Sequence, residues 1–186
     1  MMGGSERLTA DDELFRLIKD GDAEALKVLF KRYYAPLCRF SASIVKNDES
    51  AEEVVSDMFV DLWLKRAAIE IRAGVRQYLY GAVRNRSLNV LRSYGIPTKQ
   101  FDHDEEDLTS PEFNADRPLL YKELERSIDA FINRMPERRR LIFRMHRIDG
   151  LTYQEIAEIL SLSIHTVQNQ MVEAVKFLYR CAKLHR

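Results

Sequence analysis

Five short polar side chains lie together near the C-terminus: Ser163, His165, Thr166, Gln168 and Asn169. Hydroxyls, an imidazole and two carboxamides within two helical turns can reach base edges or phosphates in a major groove. The amide of Asn169 can pair bidentately with adenine, a contact contributing ~1–3 kcal/mol of discrimination. A second set lies in GVRQYLYGAVRNRSLNVLRSYG, where Tyr78, Gly81, Asn85, Asn89 and Arg92 share one face at helical spacing. An aromatic platform, amide readers and a cation suit unstacked single-stranded bases, where aromatic stacking contributes ~1–3 kcal/mol per base. A third set, Glu53, Ser56, Asp57, Val60 and Leu64, mixes acids with apolar residues on one helical face. That mixture suits a protein partner better than a solvated surface.

Catalytic and metal chemistry find little support. His103, His146, His165 and His185 lack the spacing of a helical metal site. Gly3-Gly4 stands alone and makes no phosphate loop. Asp57 and Asp61, at i and i+4, read as a solvated face. Cys38 and Cys181 form no metal pair and are expected to be reduced core residues. No enzyme activity, cofactor or metal is therefore expected. The apolar runs are far too short for a membrane span, and Met1 to Ala10 lacks a signal-peptide apolar core. The chain is expected in the cytoplasm, without membrane insertion.

The elements that must position these sets are helical. With 186 residues and 46% apolar content the chain permits one medium domain or two small ones. Its net charge is zero, but the charge is segregated. Residues 1–71 carry 10 basic and 14 acidic side chains, and residues 72–95 carry five arginines and no acid. Residues 96–118 carry 2 basic and 7 acidic side chains, and residues 119–186 carry 12 and 8. Two basic zones flanking an acidic stretch suit a bipartite DNA binder with a repelling linker.

Periodicity of 3.6 residues predicts an all-α chain of two small helical domains, 11–95 and 119–186, joined by a flexible acidic linker over 96–118. In the first domain, helices are expected over about 11–20 and from Asp22, with Pro36 interrupting or restarting the pattern. Asp48 or Ser50 is expected to cap a helix running to about Arg66, with Val55, Met58, Phe59 and Leu62 as its core stripe. After a connection over 68–75, a helix to about Ser93 is expected to bury Leu79, Ala82, Val83 and Val90. Arg86 falls within that stripe, so it must snorkel, pair internally or mark a bend.

In the second domain, helices are expected over about 119–134, 137–147, 153–160 and 164–182. Thr152-Tyr-Gln-Glu155 is a capping box, Ser161-Leu162-Ser163 is a three-residue turn, and Ser163 is a good N-cap. Ile156, Ala157 and Leu160 supply the buried side of the first of these two helices. Ile164, Val167, Met171, Ala174, Val175 and Leu178 fall on one face of the second. The opposite face carries His165, Thr166, Asn169, Glu173 and Lys176. Two helices joined by a tight turn, the second polar at its outer N-terminal end, form a helix-turn-helix.

The order of AEEVVSDMFVDLW, YLYGAVRNRSLNVLR and the segment from MPERRRLIF onward resembles the extracytoplasmic function (ECF) sigma factors, minimal members of the sigma-70 family. The resemblance spans nearly everything from Asp12 to Leu184. It implies a promoter-directing subunit of RNA polymerase. The first stretch is similar to region 2.2, which docks on the beta-prime coiled coil, so Glu53, Ser56, Asp57 and Val60 would contact polymerase. The second is similar to regions 2.3 and 2.4, which melt and read the −10 element, so Tyr78, Arg84, Asn85, Asn89 and Arg92 would meet −10 DNA. Arg72 and Arg76 lie in the loop AAIEIRAGVR, where the family captures a flipped-out −10 base. The third is similar to region 4, so Ser163, His165, Thr166, Gln168 and Asn169 would meet the −35 element. The resemblance also implies contact with the polymerase beta flap and control by an anti-sigma protein. Ser56 stands where a glutamine is common, Gln168 where a lysine or arginine often follows Thr-Val, and Ser161 where the turn glycine is usual. A stand-alone helix-turn-helix regulator commonly binds duplex DNA as a dimer, and no separate dimerisation heptads are evident.

Overall fold

The computed structural model describes residues 10–71, 73–96 and 130–184. Every regular element among them is an α-helix, and none is long and apolar enough to cross a membrane. The chain divides into two compact units, Met1–Thr98 and Lys99–Arg186. Arg72, residues 97–118 of the expected linker and residues 119–129 of the expected first C-terminal helix lie outside the described residues.

In the first unit, α1 (Ala10–Lys19) carries Asp11, Asp12 and Glu13 in its first turn and Arg16 and Lys19 in its last, each end complementing the helix dipole. Phe15 and Ile18 are its buried residues. Gly21, at φ 93°, closes α1 in a backbone region that side chains disfavour. Asp22 then caps α2 (Ala23–Val45), its Oδ1 accepting the N–H groups of Glu24 at 2.8 Å and Ala25 at 3.1 Å. Asp11 also pins α1 sideways onto α2, accepting from the Arg32 guanidinium and the Tyr33 hydroxyl.

The expected interruption at Pro36 does not occur: α2 runs through it for 23 residues. An interior proline costs ~3 kcal/mol. Against that, Ala25, Leu29, Tyr33, Leu37, Phe40 and Ile44 form one continuous buried stripe on both sides of Pro36. Each large member contributes ~1.5–3 kcal/mol on burial, so packing wins over the missing hydrogen bond.

The cap of α3 (Asp48–Leu64) is neither Asp48 nor Ser50 but Asn47, whose Oδ1 accepts the Ser50 N–H at 2.8 Å. The preceding Lys46 is left-handed, at φ 59°, so the chain turns one residue earlier than expected. Helix α3 ends at Leu64 rather than Arg66, and Val55, Met58, Phe59 and Leu62 are buried as predicted. Helix α4 (Val75–Ser93) begins and ends as expected, but its buried set is Val75, Leu79, Tyr80, Val83, Ser87 and Leu88. Ala82 and Val90 are only half-buried. The stripe is turned because α4 packs against both α2 and α3. Tyr80 meets Phe40 edge-on at 5.1 Å, and the buried hydroxyls of Ser87 and Ser41 bond each other at 2.8 Å. Two small residues allow close approach there, and each satisfies the other's polar group.

In the second unit, residues 130–133 are helical, and Phe131 and Ile132 are buried. Helices α5 (Glu137–Arg147), α6 (Tyr153–Leu160) and α7 (Ile164–Leu184) follow. Their core holds Leu141, Ile142, Met145, Ile156, Leu160 and Val167, among others. The expected capping box is present: Glu155 N–H donates to Thr152 Oγ1 at 3.2 Å, and Thr152 N–H donates to Glu155 Oε2 at 2.7 Å. Ile164 and Val175, expected on the apolar face of this helix, are 43% and 50% exposed. Val175 directly follows buried Ala174 and Ile164 stands in the first turn of α7, so the covered stripe is narrower than the apolar face of the helix. Val167, Met171 and Ala174 are its buried residues. Cys38 and Cys181 are free thiols and only half-buried.

Candidate nucleic-acid interface

Three exposed faces carry the polar sets singled out by spacing. On α7, Ser163 provides the N-terminal cap, its Oγ accepting the Thr166 N–H at 3.0 Å and bonding Thr166 Oγ1 at 2.8 Å. Both hydroxyls are thus engaged in holding the first turn. His165, Gln168 and Asn169 are exposed, and Thr166 is half-buried. Asn169 Nδ2 lies 3.1 Å from His165 Nδ1. One turn later Lys176 bonds Glu173 at 2.8 Å, and that cation keeps the Glu173 carboxyl below its usual range.

The angle of α7 is set by the turn before it. Ser161 is left-handed, at φ 57° and ψ 45°, and the Leu162 N–H reaches back to the Ala157 carbonyl at 2.8 Å. That is a glycine-type helix ending made with serine, and the side chain points to solvent. From the other side, the Arg139 guanidinium donates to Gln170 Oε1 at 3.4 Å. Arg140 and Arg144 bond Asn133, at its carbonyl (2.6 Å) and its Oδ1 (3.0 Å). Part of the second basic zone is therefore structural.

On α4, Asn85, Asn89 and Arg92 are exposed and fall on the face expected. The Arg92 guanidinium donates to Asn89 Oδ1 at 2.9 Å, which orders both. Tyr78 is half-buried, and burial raises its hydroxyl pKa, so it stays neutral. Between Tyr78 and Asn85 lies Gly81, where an added Cβ would meet no atom within 4 Å. Nothing in the fold requires a glycine there. Arg76 and Arg84 are half-buried, and Arg76 acts electrostatically on Tyr33 of α2.

Arg86 resolves its awkward position by pairing internally. Its guanidinium donates to Asp61 of α3, which also bonds Lys65 at 3.2 Å. The bond from Arg86, then that from Lys65, lowers the Asp61 pKa. This pair fixes α4 against α3. Sequence spacing did not reveal it, because the partners stand 25 residues apart.

The connection from α3 to α4 is held at its start. The Arg66 guanidinium lies 4.2 Å over the Trp63 ring and donates to the Trp63 carbonyl at 2.8 Å. Lys19, at the end of α1, donates to the Ile69 carbonyl at 3.1 Å. No local signal could have found Lys19, since its partner is 50 residues away.

On α3, Glu53, Ser56, Asp57, Val60 and Leu64 are all exposed, with Val60 at 56% and Leu64 at 68%. Ser56 acts on the Tyr34 hydroxyl of α2. Its side chain pulls the Tyr34 pKa down, but burial and the nearby Cys38 and Glu52 leave it raised. Among the described residues no group of histidine, cysteine and acidic side chains could hold a metal ion.

Two family descriptions match the chain in order: "Sigma-70 region 2" over residues 29–95 and "Sigma-70, region 4" over residues 125–178. The ECF RNA polymerase sigma-E factor of Haemophilus influenzae is 25% identical over 178 residues, covering 91% of this chain and 93% of that protein. The RNA polymerase sigma-H factor of Pseudomonas aeruginosa is 23% identical over 176 residues, covering 88% and 89%. Among solved structures, CnrH in complex with the cytosolic domain of CnrY shares the fold with a TM-score of 0.58 at 18% identity, over 96% of this chain and all of that one. The sigma factor RpoE of Bartonella quintana, in complex with the anti-sigma factor NepR, aligns with a TM-score of 0.56 at 21% identity, over 88% of this chain and all of that one.

Proposed function

The chain belongs to the sigma-70 family, as an ECF-type member, and from that premise we propose how its faces divide the work of directing RNA polymerase to promoters. The observation that carries the proposal is the pairing of each matched region with an exposed face of fitting chemistry. Region 2 includes the acidic and apolar face of α3 and the amide and arginine face of α4; region 4 includes the polar start of α7.

Glu53, Ser56, Asp57 and Val60 dock on the beta-prime coiled coil of core polymerase. Val60 and Leu64 supply apolar area that water otherwise surrounds. Tyr78, Arg84, Asn85, Asn89 and Arg92, with Arg76 in the first turn of α4 and Arg72 before it, take the −10 element. Bases released from the duplex stack and hydrogen-bond on this face, and the arginines meet the backbone. Residues 11–95 form this domain, residues 96–118 the linker, and residues 119–186 the −35 domain. There α7 enters the major groove, with His165, Gln168 and Asn169 at base edges. Ser163 and Thr166 hold the helix start, whose N–H groups face phosphate. Polymerase supplies the catalysis, and this chain needs no cofactor. Its place of action is the cytoplasm, where the polymerase works.

Two similar proteins of known structure were solved in complex, one with the cytosolic domain of CnrY and one with the anti-sigma factor NepR. A comparable protein, together with the beta flap of polymerase, is the proposed partner set here. Exposed Val172, Val175 and Tyr179 on α7 offer it apolar area.

The test is a holoenzyme reconstituted from core polymerase and the full chain, on a promoter it selects from a random library. Asn169→Ala should change the −35 preference and leave opening of a pre-melted template intact. Asn85→Ala should impair opening and −10 use and leave −35 preference unchanged. Permanganate footprints on duplex and pre-melted templates read both. The same defect from both substitutions overturns this division of labour.

A further inference from the structure

His165 and Asn169 stand one helical turn apart on the exposed start of α7, joined through Nδ1 and Nδ2 at 3.1 Å. A carboxamide nitrogen only donates, so the imidazole nitrogen facing it accepts. A neutral imidazole whose Nδ1 accepts carries its proton on Nε2. The amide of Asn169 spends one N–H on this bond. Its second N–H and its Oδ1 remain, and these are the two groups that adenine N7 and N6 require. Free in solution, an asparagine amide turns through a broad χ2 range and offers oxygen and nitrogen in either order. The bond to His165 removes that freedom.

We infer that His165 is a positioning residue for Asn169, locking its amide in the orientation that reads adenine in the −35 duplex. The inference rests on α7 being the −35 helix. The same geometry gives His165 its own role, because its Nε2–H points a donor at an acceptor such as guanine O6 or N7, or thymine O4. Four residues of helix rise about 6 Å, and base pairs stack about 3.4 Å apart. The two side chains therefore address base pairs about two steps apart or closer. The Ser163 and Thr166 hydroxyls are bonded to one another beside them, so the pair is set on a closed first turn.

The experiment uses holoenzyme with the full chain and a duplex library randomised across the −35 region. Wild-type protein should enrich adenine at one position, and Asn169→Ala should lose that preference. His165→Ala should lower the preference for adenine at the same position about five-fold or more. His165→Gln should restore it, since a glutamine oxygen accepts from Asn169 while its nitrogen donates outward. Placing 7-deazaadenine at that position should weaken wild-type binding more than binding by His165→Ala. In mildly alkaline buffer, the ¹⁵N shifts of His165 in the full chain should show the proton on Nε2. A proton on Nδ1, or an adenine preference untouched by His165→Ala, or a glutamine variant no better than alanine, overturns the role of His165 and leaves the −35 reading standing. If wild-type holoenzyme enriches no upstream sequence at all, the −35 reading fails first and this inference falls with it.

Discussion

Gly81→Ala sets stability against function at one atom. Gly81 lies in the interior of α4, half-exposed, on the face between Tyr78 and Asn85. Glycine in a helix interior costs ~0.8–1.0 kcal/mol relative to alanine. The added Cβ meets nothing within 4 Å, so no clash offsets the gain. The substitution should stabilise the first unit by about 1 kcal/mol, raising its melting temperature by roughly 4–8 °C. Calorimetry and urea unfolding of the full chain read this. If −10 DNA approaches closely over Gly81, the methyl group intrudes on a fitted contact. Such an intrusion costs ~1–3 kcal/mol, so promoter opening by the reconstituted holoenzyme should fall about five-fold or more. The variant is thus expected to be more stable and less active. A destabilised variant would show that the methyl does clash, against the geometry. A stabilised variant with normal opening would show that Gly81 is not a contact surface.

Three further outcomes are expected. Asp57→Arg reverses an exposed charge on α3 and should weaken assembly with core polymerase while circular dichroism stays native; unchanged affinity removes that face from the interface. Ser161→Gly relieves a left-handed serine and should stabilise the second unit by about 0.5–1 kcal/mol, whereas Ser161→Val should destabilise it; hydrogen exchange of the α6 and α7 amides distinguishes them. The Asp61 pKa is lowered below 3.8 by Arg86 and then Lys65. A depressed carboxylate stabilises the fold fully above its unfolded value and loses that contribution as pH falls through the folded one. Unfolding of the first unit should therefore steepen with acid below about pH 4, and Asp61→Asn should be less stable at neutral pH with a flatter acid limb; identical acid limbs would refute the link.

Sequence alone determined what depends on neighbours along the chain. The capping box Thr152–Glu155 was legible because its two hydrogen bonds span three residues. The buried positions of α3 were legible because an amphipathic helix writes its core at a 3.6-residue period. The exposed faces of Glu53, Asp57, Asn85, Asn89 and Asn169 followed from the same period. Tertiary structure decided what depends on which helix lies opposite. The continuity of α2 through Pro36 came from a stripe packed against other helices, which no local rule weighs. Ser87 became a core residue only because Ser41 meets it across α2 and α4. Arg86 found Asp61, and Lys19 found the Ile69 carbonyl, across 25 and 50 residues of chain. Ile164 and Val175 stayed exposed because packing covers only the narrower stripe of Val167, Met171 and Ala174. Local periodicity sets which face of a helix is apolar, and only the length and position of the neighbouring helices set how much of that face is covered.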